Sequence, residues 1–175
     1  FSSILAFRTW LASFIPSLLN VFDIVQGYMD QDFVKRFEGV RARTVALCDP
    51  LELEDYVVQP RAEVSPPKWH LGHTTWFFEK FILEPFLPNF RSYHPQYSYI
   101  FNSYYETMGD RVDRSLRGIL SRPTVQEIKA YRAAIDEQVL SLLSQPALCD
   151  ERVWSLFEIG LNHEQQHQEL LLMDI

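Results

Sequence analysis

The sequence predicts an all-α protein: a four-helix bundle with a long crossover between its second and third helices. Three observations predict it. Apolar residues recur at helical spacing in four separate stretches. Proline-bearing breakers stand between them at Asp49-Pro50, Ser65-Pro66-Pro67 and Gln145-Pro146. The remaining connection, Glu84 to Tyr105, is too long and too aromatic for a casual linker, because structureless loops above roughly 12–15 residues are uncommon in compact domains.

The first helix is predicted over Asp30 to Cys48, where Phe33, Phe37, Val40, Thr44 and Leu47 recur at alternating spacings of four and three. Asp30 or Asp32 offers its cap, and Asp49-Pro50 ends it. The apolar segment before Met29 reads as an extension of unassigned role, residues 1–28, with the domain proper at 29–175. Its longest uncharged run, Thr9 to Phe22, is shorter than the ~20 residues of a spanning helix and contains Pro16. It has neither the basic start nor the cleavage site of a good signal peptide. Leu51 to Val64 is acidic and then extended.

The second helix starts at Pro67 or Lys68, where proline is tolerated, and runs to about Leu83. Trp69, His73, Trp76, Phe77 and Phe81 lie broadly on one face; His70 is about 60° from His73. The crossover that follows is expected to be ordered, with short helical turns, and His94 within it to be structural. Gly109 to Arg122 holds Arg111, Arg114, Arg117 and Arg122, either a solvated face or a clamp for a carboxylate. Thr124-Val125-Gln126-Glu127 is a capping box that opens the third helix, with Ile128, Tyr131, Ile135, Val139 and Leu142 as its stripe to about Ser144. The fourth helix begins at Glu151 or Arg152, with Leu156, Ile159, His163, His167 and Leu170 on its inner face. Residue 1 is Phe and the helical pattern runs to Ile175 without a stop signal, so the chain reads as a piece of a longer protein.

Composition narrows the function classes. At 175 residues, 47% hydrophobic and 14% aromatic, the chain has enough apolar material for one domain with a core. A net charge of −7 argues against nucleic acid as a partner. Cys48 and Cys149 are far apart and outside any C-x-x-C, which suits a reducing cytoplasm and incidental thiols. No internal repeat or phosphate-binding glycine loop is present.

The chemistry concentrates in His163-Glu164-Gln165-Gln166-His167. Histidines four apart on a helix lie about 40° apart, one turn along, and can close on one metal ion. Two core histidines bonded to carboxylates or carbonyls would fit the same spacing. The letters also match the zinc-protease H-E-x-x-H, in which the glutamate is general base and a third ligand follows downstream. Here only Glu169 and Asp174 follow, both close along the same helix, so a third histidine, if there is one, must come from upstream. His73, set among aromatics, is the better candidate. Three neutral imidazoles suit Zn, Fe, Ni or Cu, and three protein ligands leave positions open for chemistry.

Ser65-Pro66-Pro67-Lys68-Trp69-His70-Leu71-Gly72-His73, His163-Glu164-Gln165-Gln166-His167-Gln168-Glu169 and Tyr99-Ile100-Phe101-Asn102-Ser103-Tyr104-Tyr105-Glu106, in this order and separation, resemble the DinB-like metal-binding domain of the ergothioneine sulfoxide synthases. The resemblance runs from about Met29 to Ile175. It implies a DinB-like bundle holding non-haem Fe(II) through His73, His163 and His167. It implies O2 as co-substrate, and a thiol, cysteine or γ-glutamylcysteine, joined to the imidazole C2 of hercynine. It further implies that Gln166 contacts the substrate imidazole and that Arg111 and Arg114 hold the thiol substrate's carboxylate. Members of that family continue into a C-terminal domain resembling formylglycine-generating enzymes, which supplies the remaining contacts. The expectation is a cytoplasmic oxidoreductase, with neither nucleic acid nor membrane as partner, that binds iron here and needs that further domain for turnover. Three other readings compete: a stand-alone DinB-like metal-dependent thiol transferase or hydrolase, a zinc protease, and a metal-free helical interaction module.

Overall fold

The computed structural model describes the backbone of residues 16–103 and 109–175, with side chains from Gln31 onward. Tyr104, Tyr105 and Glu106 of the aromatic motif lie outside the described residues, as do residues 1–15 of the N-terminal extension. The regular secondary structure of the described residues is all helical, without strands. The chain divides into two units between Phe37 and Glu38. In the described part of the first, the backbone is one continuous helix from Pro16.

That helix, α1, spans Pro16–Leu47 and passes straight through Met29. Asp30 and Asp32 therefore do not cap it. Pro16 opens it instead, because the missing N–H of a proline is not needed in a first turn.

The second unit is built around α2, Pro67–Phe78, which continues through a π-helical turn at Glu79–Leu83 into the short α3, Glu84–Phe86. A single apolar face was expected for α2. Every residue from Pro67 to Phe78 is buried. The helix is the axis of the bundle, packed on α4 (Tyr97–Phe101), α5 (Val125–Leu143) and α6 (Glu151–Asp174). Polar residues survive there because each finds a partner, as buried polar groups must. The Thr75 hydroxyl donates to the Leu71 carbonyl (2.8 Å), and Lys68 Nζ donates to the Leu120 carbonyl (2.6 Å). The Glu79 carboxylate accepts from the Tyr93 amide (2.7 Å) and the Tyr131 hydroxyl.

The crossover is ordered where described. Its helix α4 presents carbonyls and a hydroxyl to α2: the Trp69 indole donates to the Ile100 carbonyl (3.0 Å) and the Trp76 indole to Ser98 Oγ (3.2 Å). His94 accepts from the Gln96 amide (3.2 Å), a structural role. The α5 stripe is as expected, with Ile128, Tyr131, Ile135, Val139 and Leu142 all fully buried, and Thr124 and Glu127 closing a reciprocal capping box.

The expected face of α6 requires correction. Ile159 is 54% exposed, and Leu156 and Leu170 are only half-buried. The buried line is Val153, Phe157, Gly160, Leu161, Glu164 and Leu171. Gly160 is on it because Phe78 lies 3.0 Å from where a Cβ would stand. Glu164 is on it because cations on two other helices meet it there. His163 and His167 therefore sit at the edge of the buried face, half-buried and turned toward α2.

Candidate metal centre

Two buried layers lie between α2 and α6. The inner one is ionic. Glu164 accepts from Arg41 Nη1 of α1 (2.8 Å), from the Thr44 hydroxyl (2.6 Å) and from Arg132 Nη2 of α5. Arg41 also donates to Asp136 (2.7 Å) and Thr75 (3.0 Å). Burial pushes the Glu164 carboxyl up, but Arg41 and Arg132 outweigh it and hold it down at about 2. Both carboxylate oxygens are committed, so Glu164 has neither a lone pair facing a metal nor the raised basicity of a general base. This removes the zinc-protease reading of H-E-x-x-H.

The outer layer is the histidine cluster. His73 is buried; its Nδ1–H donates to the Phe101 carbonyl (2.6 Å), which leaves Nε2 as a bare lone pair. That nitrogen faces His163 Nε2 at 3.1 Å. One ring nitrogen from each of His73, His163 and His167 falls within a set whose members all lie within 4.8 Å of one another. The ring centroids are 4.6–4.9 Å apart. Two imidazole nitrogens bound side by side to one ion at about 2.1 Å stand roughly 3 Å apart. The facing pair meets that spacing, so the donor set fits a metal ion. The buried Nδ1 of His163 has no partner. In the metal-free chain His163 Nε2 can donate to the His73 lone pair; an ion bound between the two nitrogens would take that hydrogen's place.

The surroundings hold the imidazoles still and keep them neutral. Trp69 stacks on His73 (4.5 Å, 13°), the Arg117 guanidinium lies 3.4 Å from the centre of the same Trp69 ring, and Phe77 leans on His163 (4.8 Å). Burial is the largest influence on all four clustered histidines. It pushes His163 down to about 4 and lowers His70, His73 and His167. Neutral imidazole is the metal-binding form.

The remaining expected residues lie around this centre. Gln166 is exposed on α6 between the two histidines. Arg114 is exposed, but its charge still reaches His70 and Asp174. Arg111 lines a surface hollow of about 540 Å³ with Tyr99, Asp110 and Asp113. The structure brings in three residues that sequence reasoning passed over. Arg117 is the buried member of the arginine group, donating to Ser65 (2.9 Å) and Ser103 (3.3 Å). His70, set aside for its angle from His73, touches His167, and Asp174 touches His70. Both contacts run between helices about a hundred residues apart in sequence, so local spacing carried no signal for them.

A helical bundle with three histidines converging from two helices defines a metal-centre scaffold of the kind that places its ligands on facing helices. The family model of the DinB superfamily matches residues 36–171, and the chain belongs to that superfamily, whose members include metal-binding domains and metal-dependent enzymes. No curated protein matches the chain. No described helix is long and apolar enough to cross a membrane.

Proposed function

We propose that this chain is the iron-binding domain of an O2-dependent sulfoxide synthase that joins cysteine or γ-glutamylcysteine to hercynine, as in ergothioneine biosynthesis. The observation that carries the metal centre is the convergence of His73, His163 and His167, with the His73 and His163 Nε2 atoms 3.1 Å apart. The finer assignment rests on the three sequence motifs around those histidines.

On this reading His73, His163 and His167 hold Fe(II) through neutral imidazoles, which leave the ion its full positive charge to bind a thiolate. When bound, iron with O2 supplies the oxidising power to exchange the thiol S–H and the imidazole C2–H for one C–S bond and one S=O bond, the second oxygen leaving as water. The chain's own groups set the conditions. The Phe101 carbonyl fixes the His73 tautomer, and Trp69 and Phe77 wall the imidazoles off from water. Gln166, exposed between the two histidines, would contact the substrate imidazole through water, and Arg111 and Arg114 would hold a carboxylate. A formylglycine-generating-enzyme-like domain completes the site in this reading, in a cytoplasmic protein.

A second reading, a stand-alone DinB-like thiol transferase or hydrolase using Zn or Ni, is equally compatible with the family match, which reaches only the superfamily as a whole. The deciding experiment is metal content after anaerobic purification, with and without added Fe(II), beside His73→Ala and His167→Ala. About one equivalent of iron, lost in both variants, supports the proposal. Retention of Zn or Ni with thiol turnover in the absence of O2 supports the second reading. A chain that holds no metal under any loading refutes both.

A further inference from the structure

Four of the five histidines meet at this site, yet only three converge as ligands. The fourth, His70, is buried and held at both ring nitrogens: Nε2 lies 3.1 Å from Asp174 Oδ2, and Nδ1 lies 2.9 Å from His167 Nδ1. The proton positions follow by elimination. A carboxylate oxygen only accepts, so His70 Nε2 carries a hydrogen and donates it to Asp174. The Nδ1 of neutral His70 is then a lone pair, and the facing His167 Nδ1 must donate to it. That leaves His167 Nε2 as the bare nitrogen.

We infer that Asp174 and His70 form a hydrogen-bonded relay that fixes His167 in its Nδ1–H tautomer and turns its Nε2 lone pair onto the ion, making both positioning residues of the metal centre. The ion itself rests on the metal-centre reading above; the tautomer does not. Ligating histidines usually carry such a partner on the ring nitrogen away from the metal, and a carboxylate at the end of the chain raises the ligand's basicity. His73 has a simpler version in the Phe101 carbonyl. The relay also ties together the two segments that supply ligands. Asp174 Oδ2 accepts from the Ser65 amide at 2.9 Å, so the last turn of α6 clasps the segment leading into α2. Arg117, bonded to Ser65 Oγ, braces the same corner.

The test has a metal-free part and a metal part. Long-range 1H–15N correlation spectra of the metal-free chain report each imidazole tautomer directly. His167 is expected as Nδ1–H and His70 as Nε2–H; an Nε2–H tautomer at His167 overturns the inference whether or not the chain binds metal. For the second part, Co(II) affinity by chelator competition and the Co(II) visible spectrum are compared in the wild type, His70→Leu, His70→Gln and Asp174→Ala. His70→Leu and Asp174→Ala are expected to weaken Co(II) binding about 10–100-fold and to alter the spectrum. His70→Gln is expected to recover most of the affinity, because the carboxamide oxygen accepts from His167 while its N–H donates to Asp174. Wild-type affinity in His70→Leu reduces His70 to packing and overturns the relay. Failure of His70→Gln to improve on His70→Leu also overturns it, since a hydrogen-bonding role is what glutamine preserves. A wild-type chain that takes up no Co(II) refutes the metal centre, and the tautomer spectrum then still decides the relay by itself.

Discussion

Replacing Glu164 with glutamine keeps the shape of the side chain and deletes one charge. The carboxylate is fully buried and accepts from Arg41, Arg132 and Thr44. An amide presents one oxygen and one NH2, so at least one of these donors would face another donor. Two buried guanidinium groups would then share Asp136 as their named anion. Breaking a buried pair by removing one partner typically costs about 3–5 kcal/mol, because the stranded charge stays out of water. Domains of this size have roughly 5–15 kcal/mol of stability and urea slopes of about 1–3 kcal/mol/M. The expected result is a fall in the urea midpoint of about 1–5 M, followed by circular dichroism, with the metal stoichiometry of the folded fraction unchanged. A midpoint within error of wild type would refute the view that this cluster joins α1, α2, α5 and α6. Loss of metal at unchanged stability would return Glu164 to the metal site.

Three further outcomes are expected. In Gly72→Ala the added methyl overlaps the Phe101 ring, whose residue also supplies the carbonyl bonded to His73; a loss of at least about 1–3 kcal/mol by urea titration, with weaker metal binding, is expected. In Thr124→Ala the α5 capping box is lost, for a decrease of about 0.5–2 kcal/mol with metal binding unchanged, measured by the same titration and by Co(II) uptake. The metal-free chain is expected to lose stability as pH falls from 7 to 5. His163 titrates at about 4 when folded but near its ordinary value of 6.5 when unfolded, so across that window the unfolded state binds more protons. His70, His73 and His167 are lowered in the same direction. Urea midpoints across this pH range check the sign; a midpoint that rises on acidification would contradict it.

The sequence by itself determined the helical class, the capped start and whole inner stripe of α5, and the pairing of His163 with His167 as candidate ligands. These features are local: a capping box spans four residues, an aliphatic stripe declares its face by period, and histidines four apart share a side wherever the helix lies. The burial of α2 on every side and the inward turn of Glu164 were decided only by tertiary structure. A glutamate counts as polar in any pattern, and its burial depends on Arg41 and Arg132, which lie far away in sequence. The same holds for the relay. Nothing in the spacing of Asp174, His70 and His167 shows that two helices bring them into one line, because the hydrogen bonds that assign a tautomer exist only once α2 and α6 have packed.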